Sequence, residues 1–259
     1  MLWQTLLARD LHISVSRGEP FVLALCVWCV YLGDRILDAM RMPAAGWEPI
    51  RKAFYRNNLR LTAVIASCLL LSALPLAYYL LRRATFWAGL VLAVLLLSYL
   101  AFVHLAPIRW RARWPREMAV AFVFTCGVFL ALWIGNGSSF HRLWAPAFLF
   151  WLLCCVNCCA IETWEWQEDI SRLHEKPSNS ARWVTRYLLF LALSIVGLAF
   201  LMRRMTLAPL HFSVASFLSG VALAVLAACR SYLPMNSLRV AADLALCTPL
   251  LMLFFHLLS

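Results

Sequence analysis

Eight apolar stretches, each near the roughly twenty residues that cross a hydrocarbon layer, constrain this chain more than any other feature. They fall at 20–41, 57–81, 85–105, 117–135, 143–163, 183–202, 208–230 and 236–258. A backbone in lipid has to satisfy its own hydrogen bonds, so stretches of this length predict helices. Only 14% of the 259 residues are charged, against about a quarter in a soluble domain. The reading is an all-α polytopic membrane helix bundle. No linker is long enough to separate domains, so 1–259 is read as one transmembrane domain. Pro20 opens the first stretch and Pro43 follows its end, where a missing N–H does least harm. Residues 1–19 carry Arg9, Asp10 and His12; they are read as no secretory signal and as a ninth helix at most in reduced form.

The connecting segments give an orientation. Alternate loops, from Arg41 through Arg60, Arg109 to Arg116, Arg172 to Arg186, and then Arg230 and Arg239, hold fifteen basic residues. The opposite loops hold five: Arg82, Arg83, Arg142, Arg203 and Arg204. The positive-inside rule makes the richer side cytoplasmic, most naturally at a bacterial inner membrane. The net charge of +11 is then a topology signal, and no nucleic-acid partner is implied. Trp47, Trp110, Trp114, Trp164, Trp166 and Trp183 gather toward the same side, as an interfacial belt would.

Charge inside the apolar stretches is rarer and more telling. Tyr31, Asp34, Asp38 and Arg41 step by three, four and three residues, which places them on one helical face. Asp34 lies about 21 Å beyond Pro20 at the helical rise, still at the edge of a hydrocarbon layer about 30 Å thick. Glu162, Glu165, Asp169 and Arg172 repeat the same steps at the end of the fifth stretch. Carboxylates at i and i+4 repel, and at membrane depth they require a counter-charge. Arg35 and Arg41 are one possible source. The other is Mg²⁺, which takes one or two carboxylates and completes its shell with substrate phosphates. Two such stripes on one side suggest a shared cation-and-phosphate site.

Ten cysteines lie nearly all within apolar segments, four of them in the run Cys154-Cys155-Val156-Asn157-Cys158-Cys159. Small residues in membrane helices serve close packing, which is the simpler reading here than a disulfide framework or a zinc site. Cys155 and Cys158 continue the Glu162–Asp169 face upward. Asn157 sits eight residues before Glu165 on the same side of the helix, where its amide is suited to an interhelical hydrogen bond or a cavity wall.

The frame Val30-Tyr31-Leu32-Gly33-Asp34-Arg35-Ile36-Leu37-Asp38 resembles the NDxxDxxxD signature of the UbiA superfamily of intramembrane prenyltransferases. Glu165-Trp166-Gln167-Glu168-Asp169 resembles that family's second motif, DxxxD, and Tyr99 to Gly127 its central tyrosine, basic loop and following helix. Val30 and Tyr31 stand where the family has Asn and Asp, and Glu165 replaces an Asp. Family members usually have nine spans, the first of which is here absent or reduced to residues 3–17. The resemblance implies a UbiA-like fold and transfer of a polyprenyl chain from an isoprenoid diphosphate to an aromatic, quinone-type or other lipid acceptor. It implies Mg²⁺ on Asp34 and Asp38 and again on Glu165 and Asp169, with these four acids as the catalytic set. Arg35, Arg41, Arg113, Arg172 and Lys176 would neutralise phosphate oxygens, and Tyr31, Tyr99, Asn157 and Glu162 would line the cavity, with Tyr99 and Trp164 able to face an allylic cation.

Two other classes stay open on sequence. A non-catalytic relative would bind a polyprenyl lipid or scaffold a membrane complex. A cation transporter would also carry intramembrane acids, although transport favours them at the midplane between inverted halves.

Overall fold

The computed structural model describes residues 1–16, 18–41, 50–105, 116–135, 141–173 and 179–258, and no strand occurs among the described residues. The helices in order are α1 (Leu2–Asp10), α2 (Gly18–Arg41), α3 (Ile50–Asn57), α4 (Leu59–Leu80), α5 (Arg83–Leu105) and α6 (Arg116–Gly135). They continue as α7 (Trp144–Leu173), α8 (Asn179–Arg204), α9 (Leu210–Ala228), α10 (Met235–Ala245) and α11 (Pro249–Leu258). Among the described residues, α2, α4, α6, α7, α8 and α9 contain stretches long and apolar enough to cross a membrane. The pair α10 and α11, bent by 45° at a short break, makes a seventh if taken as one span. The apolar run on α5, Arg83–Tyr99, is shorter. The eight apolar stretches therefore correspond to six such helices, one broken pair and α5. The chain is an all-helical, multi-pass membrane protein.

Two compact units emerge, residues 15–107 with Met1, and 2–14 with 108–259. In the first, α2 packs against α3 and α4, and α4 also meets α5. The start of α2 is fixed by the carboxylate half of a capping box, with the Ser16 hydroxyl accepting from Gly18 N–H at 3.4 Å. Ser16 N–H donates to Glu19 Oε2 at 3.0 Å, while Glu19 N–H donates to the Ser16 carbonyl at 3.0 Å. Glu19 also accepts from Arg82 Nε at 3.2 Å and Thr85 Oγ1 at 3.4 Å, which ties the start of α2 to the α4–α5 turn. Gly18 is required there, because a Cβ on it would lie 2.6 Å from the Leu80 Cβ. Leu71, Tyr79 and Leu97 stay exposed, as side chains facing lipid do.

In the second unit α7 is surrounded by α6, α8, α9 and α10, and α8 packs closely on α9. Ser216, Gly220 and Ala224 recur every fourth residue on α9, the small-residue spacing that lets membrane helices approach. A Cβ on Gly220 would come 2.9 Å from Val196 Cγ2. The short N-terminal helix α1, about 13 Å long at 1.5 Å per residue, does not span. It is buried among α6, α9 and α11. Trp3 packs against Phe150 in a tilted contact and against Phe212 edge-on, at centroid distances of 5.2 and 5.4 Å. Its Nε1–H donates to the Leu246 carbonyl at 2.9 Å, occupying a backbone acceptor at the α10–α11 break. At the same break Thr248 Oγ1 donates to the Ala215 carbonyl at 2.9 Å and pairs with Ser219 Oγ at 2.7 Å. Asp10 closes α1 against α9: Oδ2 accepts from Phe212 N–H at 3.1 Å and Oδ1 lies 2.7 Å from His211 Nδ1.

Candidate functional site

The first acidic stripe lies on the last turns of α2, which runs without interruption from Gly18 to Arg41. Tyr31, Asp34 and Arg35 form one local cluster. Asp34 Oδ2 is 3.8 Å from an Arg35 terminal nitrogen, and the Arg35 guanidinium carbon lies 5.1 Å from the Tyr31 ring centroid. The Asp34 side chain keeps 16% of its surface exposed, so this carboxylate is largely withdrawn from solvent. An arginine beside it lowers the cost of that burial, and the tyrosine face holds the arginine in turn. Asp38 and Arg41 continue the same helix by their backbone. Their side chains lie outside the described residues.

The second stripe lies on α7, which is one helix from Trp144 to Leu173, about 45 Å long at 1.5 Å per residue. That exceeds a hydrocarbon layer of about 30 Å, so the helix continues past the end of its apolar part. Glu165, Asp169 and Arg172 all have helical backbone, and their side chains lie outside the described residues. Arg113 and Lys176 lie outside the described residues altogether. The face leading to the stripe opens progressively, with Cys155 buried, Cys158 half-buried and Glu162 exposed. Among the described residues, none of the ten cysteines is joined in a disulfide.

Tyr99 is half-buried near the end of α5. It shares a unit with Tyr31, Asp34 and Arg35, whereas Asn157 and Glu162 belong to the other. Trp164, expected in an interfacial belt, is instead 2% exposed, and Asn157 is 4% exposed. Residues 1–19, by contrast, supply two acids that sequence reasoning passed over. Glu19 and Asp10 each hold an inter-helix contact, and Ser16-Arg17-Gly18-Glu19 carries the spacing that could have revealed the first.

Among the described residues no group of three or more His, Cys, Asp or Glu side chains is placed to hold a metal ion. A closed protein cage is not what Mg²⁺ needs. One or two hard carboxylate donors with phosphate oxygens suffice, and the donor set of Asp34 and Asp38 at i and i+4 fits that chemistry. Comparison with protein-family models, curated proteins and solved structures gives no match for this chain.

Proposed function

We propose that this protein is an intramembrane prenyltransferase of UbiA-like type, which moves a polyprenyl chain from an isoprenoid diphosphate to a lipid-soluble acceptor. The observation that supports this reading most is the withdrawn Asp34 carboxylate, set with Arg35 and Tyr31 at the end of an apolar helix. A solvated surface acid has no use for that depth, while an anionic headgroup entering from the membrane edge meets cation-binding and cationic groups there. In this reading Asp34 and Asp38 would hold one Mg²⁺ and Glu165 and Asp169 another. The metal, when bound, supplies positive charge to the diphosphate oxygens.

The chain's own residues do the rest. Arg35, Arg41, Arg113, Arg172 and Lys176 neutralise phosphate oxygens, the arginines through paired N–H donors. The bond from the allylic carbon to the diphosphate oxygen breaks with its electron pair leaving on the diphosphate. The acceptor's nucleophile forms the new bond to that carbon and loses its proton. Apolar walls exclude water from the allylic cation, and Tyr99 and Tyr31 are the aromatic groups suited to face it. The acidic helix ends and basic loops belong to the cytoplasmic side in this scheme, as the loop charges indicate.

The alternative is a non-catalytic membrane protein that binds a polyprenyl lipid. Val30 and Tyr31 favour it, because neither side chain supplies the amide or the carboxylate of the family frame. Purified protein incubated with a panel of polyprenyl diphosphates separates the two. Mg²⁺-dependent release of diphosphate with an acceptor extract supports transfer. Saturable binding without release leaves the lipid binder, and absence of both removes the whole reading.

A further inference from the structure

The inward face of α7 carries two buried polar atoms that no group among the described residues satisfies. Asn157 Oδ1 and Trp164 Nε1 both lack a hydrogen-bond partner, on side chains 4% and 2% exposed. Seven residues apart, they project about 20° from one another around the helix axis. The buried residues Leu153, Cys154, Ala160 and Thr163 flank them on both sides, so the pair occupies the middle of the buried face. Aliphatic side chains would be the default at such positions. An unpaired buried acceptor and an unpaired buried donor each cost free energy, and two of them aligned on one face call for a bound partner.

The two atoms differ in kind. Asn157 Oδ1 can only accept, and Trp164 Nε1–H can only donate. Their positions are about 10 Å apart along the axis at 1.5 Å per residue, so one hydroxyl does not serve both. A ligand satisfying the pair needs a hydroxyl at one point and a second oxygen farther along the helix. Asn157 lies inside an apolar span, His141–Trp164, that ends at Trp164, and this position selects an uncharged, lipid-soluble molecule. Toward the other end of the same face, Phe150 is fully buried and packs on Phe124 and Phe129 at 5.9 and 6.0 Å, giving the face an aromatic floor.

We propose that this face of α7 binds a neutral, lipid-soluble molecule with two oxygen groups, whose hydroxyl donates to Asn157 and whose second oxygen accepts from Trp164. The site stands on α7 alone and does not depend on prenyl transfer. It is tested with the full chain in detergent, in EDTA and without any diphosphate, so that its failure and the failure of the transferase reading remain distinguishable. The probes are 2,6-dihydroxynaphthalene and naphthalene, which share a ring system and differ in their two hydroxyls.

The diol should bind saturably and at least about tenfold more tightly than naphthalene. Asn157→Leu and Trp164→Phe should each weaken the diol by about tenfold and leave naphthalene unchanged. Thermal unfolding without ligand supplies the second readout. Asn157→Leu keeps the side-chain volume and removes an unsatisfied carbonyl, so its Tm should equal or exceed that of the parent chain. Equal binding of the two probes would mean that trapped water alone occupies the face, and would overturn the proposal. A lowered Tm in Asn157→Leu would do the same, because it would show that the protein already satisfies this carbonyl.

Discussion

Glu19 and Arg82 meet at 3.2 Å in an ion pair whose acid is sealed from solvent and whose base is not, with side-chain exposures of 1% and 39%. The asymmetry decides what each substitution does. Removing the guanidinium leaves a buried carboxylate with the neutral donors Ser16 N–H and Thr85 Oγ1. Arg82→Ala should therefore cost about 2 kcal/mol, short of a fully buried pair because the arginine is partly hydrated. Glu19→Gln keeps an acceptor for Ser16 and should cost about 1 kcal/mol. The neighbouring Arg83→Ala should stay within about 0.5 kcal/mol. Thermal unfolding in detergent measures all three, and equal effects at Arg82 and Arg83 would refute a buried pair.

Much of the architecture was legible because lipid leaves the backbone so few options. Stretches of apolar sequence became helices, and the three-four-three spacing of Glu162 to Arg172 did continue α7 in helical form. Breaks were harder to see. Hydropathy averages over Pro249, so 236–258 read as one span, whereas the missing N–H of Pro249 falls where α11 begins. Pro75 lies inside α4 without ending it. The facing of α7 was also hidden. Tryptophan is equally at home in an interfacial belt and in a core, and composition does not say which, so Trp164 was placed with the belt. The burial of α1 rests on long-range contacts of Trp3 and Asp10 with residues more than 200 positions away, which no local pattern records.

The α8–α9 contact offers a test in which two glycines move in opposite directions. A Cβ at Gly220 would press on Val196 Cγ2 at 2.9 Å and Ile195 Cγ2 at 3.2 Å. Crowding of this kind costs about 1–3 kcal/mol, which outweighs the roughly 1 kcal/mol that alanine gains in helix propensity. Gly220→Ala should thus destabilise the protein, and Gly220→Leu should do so severely. Gly197 on α8 has nothing within 4 Å of the same built atom, so Gly197→Ala should be neutral or stabilising by up to about 1 kcal/mol. Matching signs at the two positions in thermal unfolding would rule out close packing at Gly220.

For the acid pairs, the proposed function gives each stripe a metal-binding role. Asp38→Asn should weaken binding of a polyprenyl diphosphate in Mg²⁺ by about tenfold and leave binding in EDTA nearly unchanged. Asp169→Asn should behave alike. Losses that persist unchanged without divalent metal would separate these acids from metal binding.

Tyr31 sits where the family frame has a carboxylate, yet it holds the Arg35 guanidinium against its ring at 5.1 Å. Phenylalanine preserves that face and removes only the hydroxyl. Leucine removes both. If the ring's role is to steady Arg35 beside Asp34, Tyr31→Phe should bind the diphosphate lipid as the parent chain does. Tyr31→Leu should then bind it several-fold more weakly, because a cation–π contact at a partly exposed site is worth about 0.5–1 kcal/mol. If the hydroxyl itself donates to a phosphate oxygen, Tyr31→Phe should already show the loss. Installing the UbiA-type frame with Val30→Asn and Tyr31→Asp sets these roles against metal binding. The new carboxylate adds a ligand for Mg²⁺ but removes the support of Arg35, so turnover should rise while binding in EDTA falls. Unchanged binding and turnover across Tyr31→Phe, Tyr31→Leu and the double variant would show that this edge of α2 takes no part in the site.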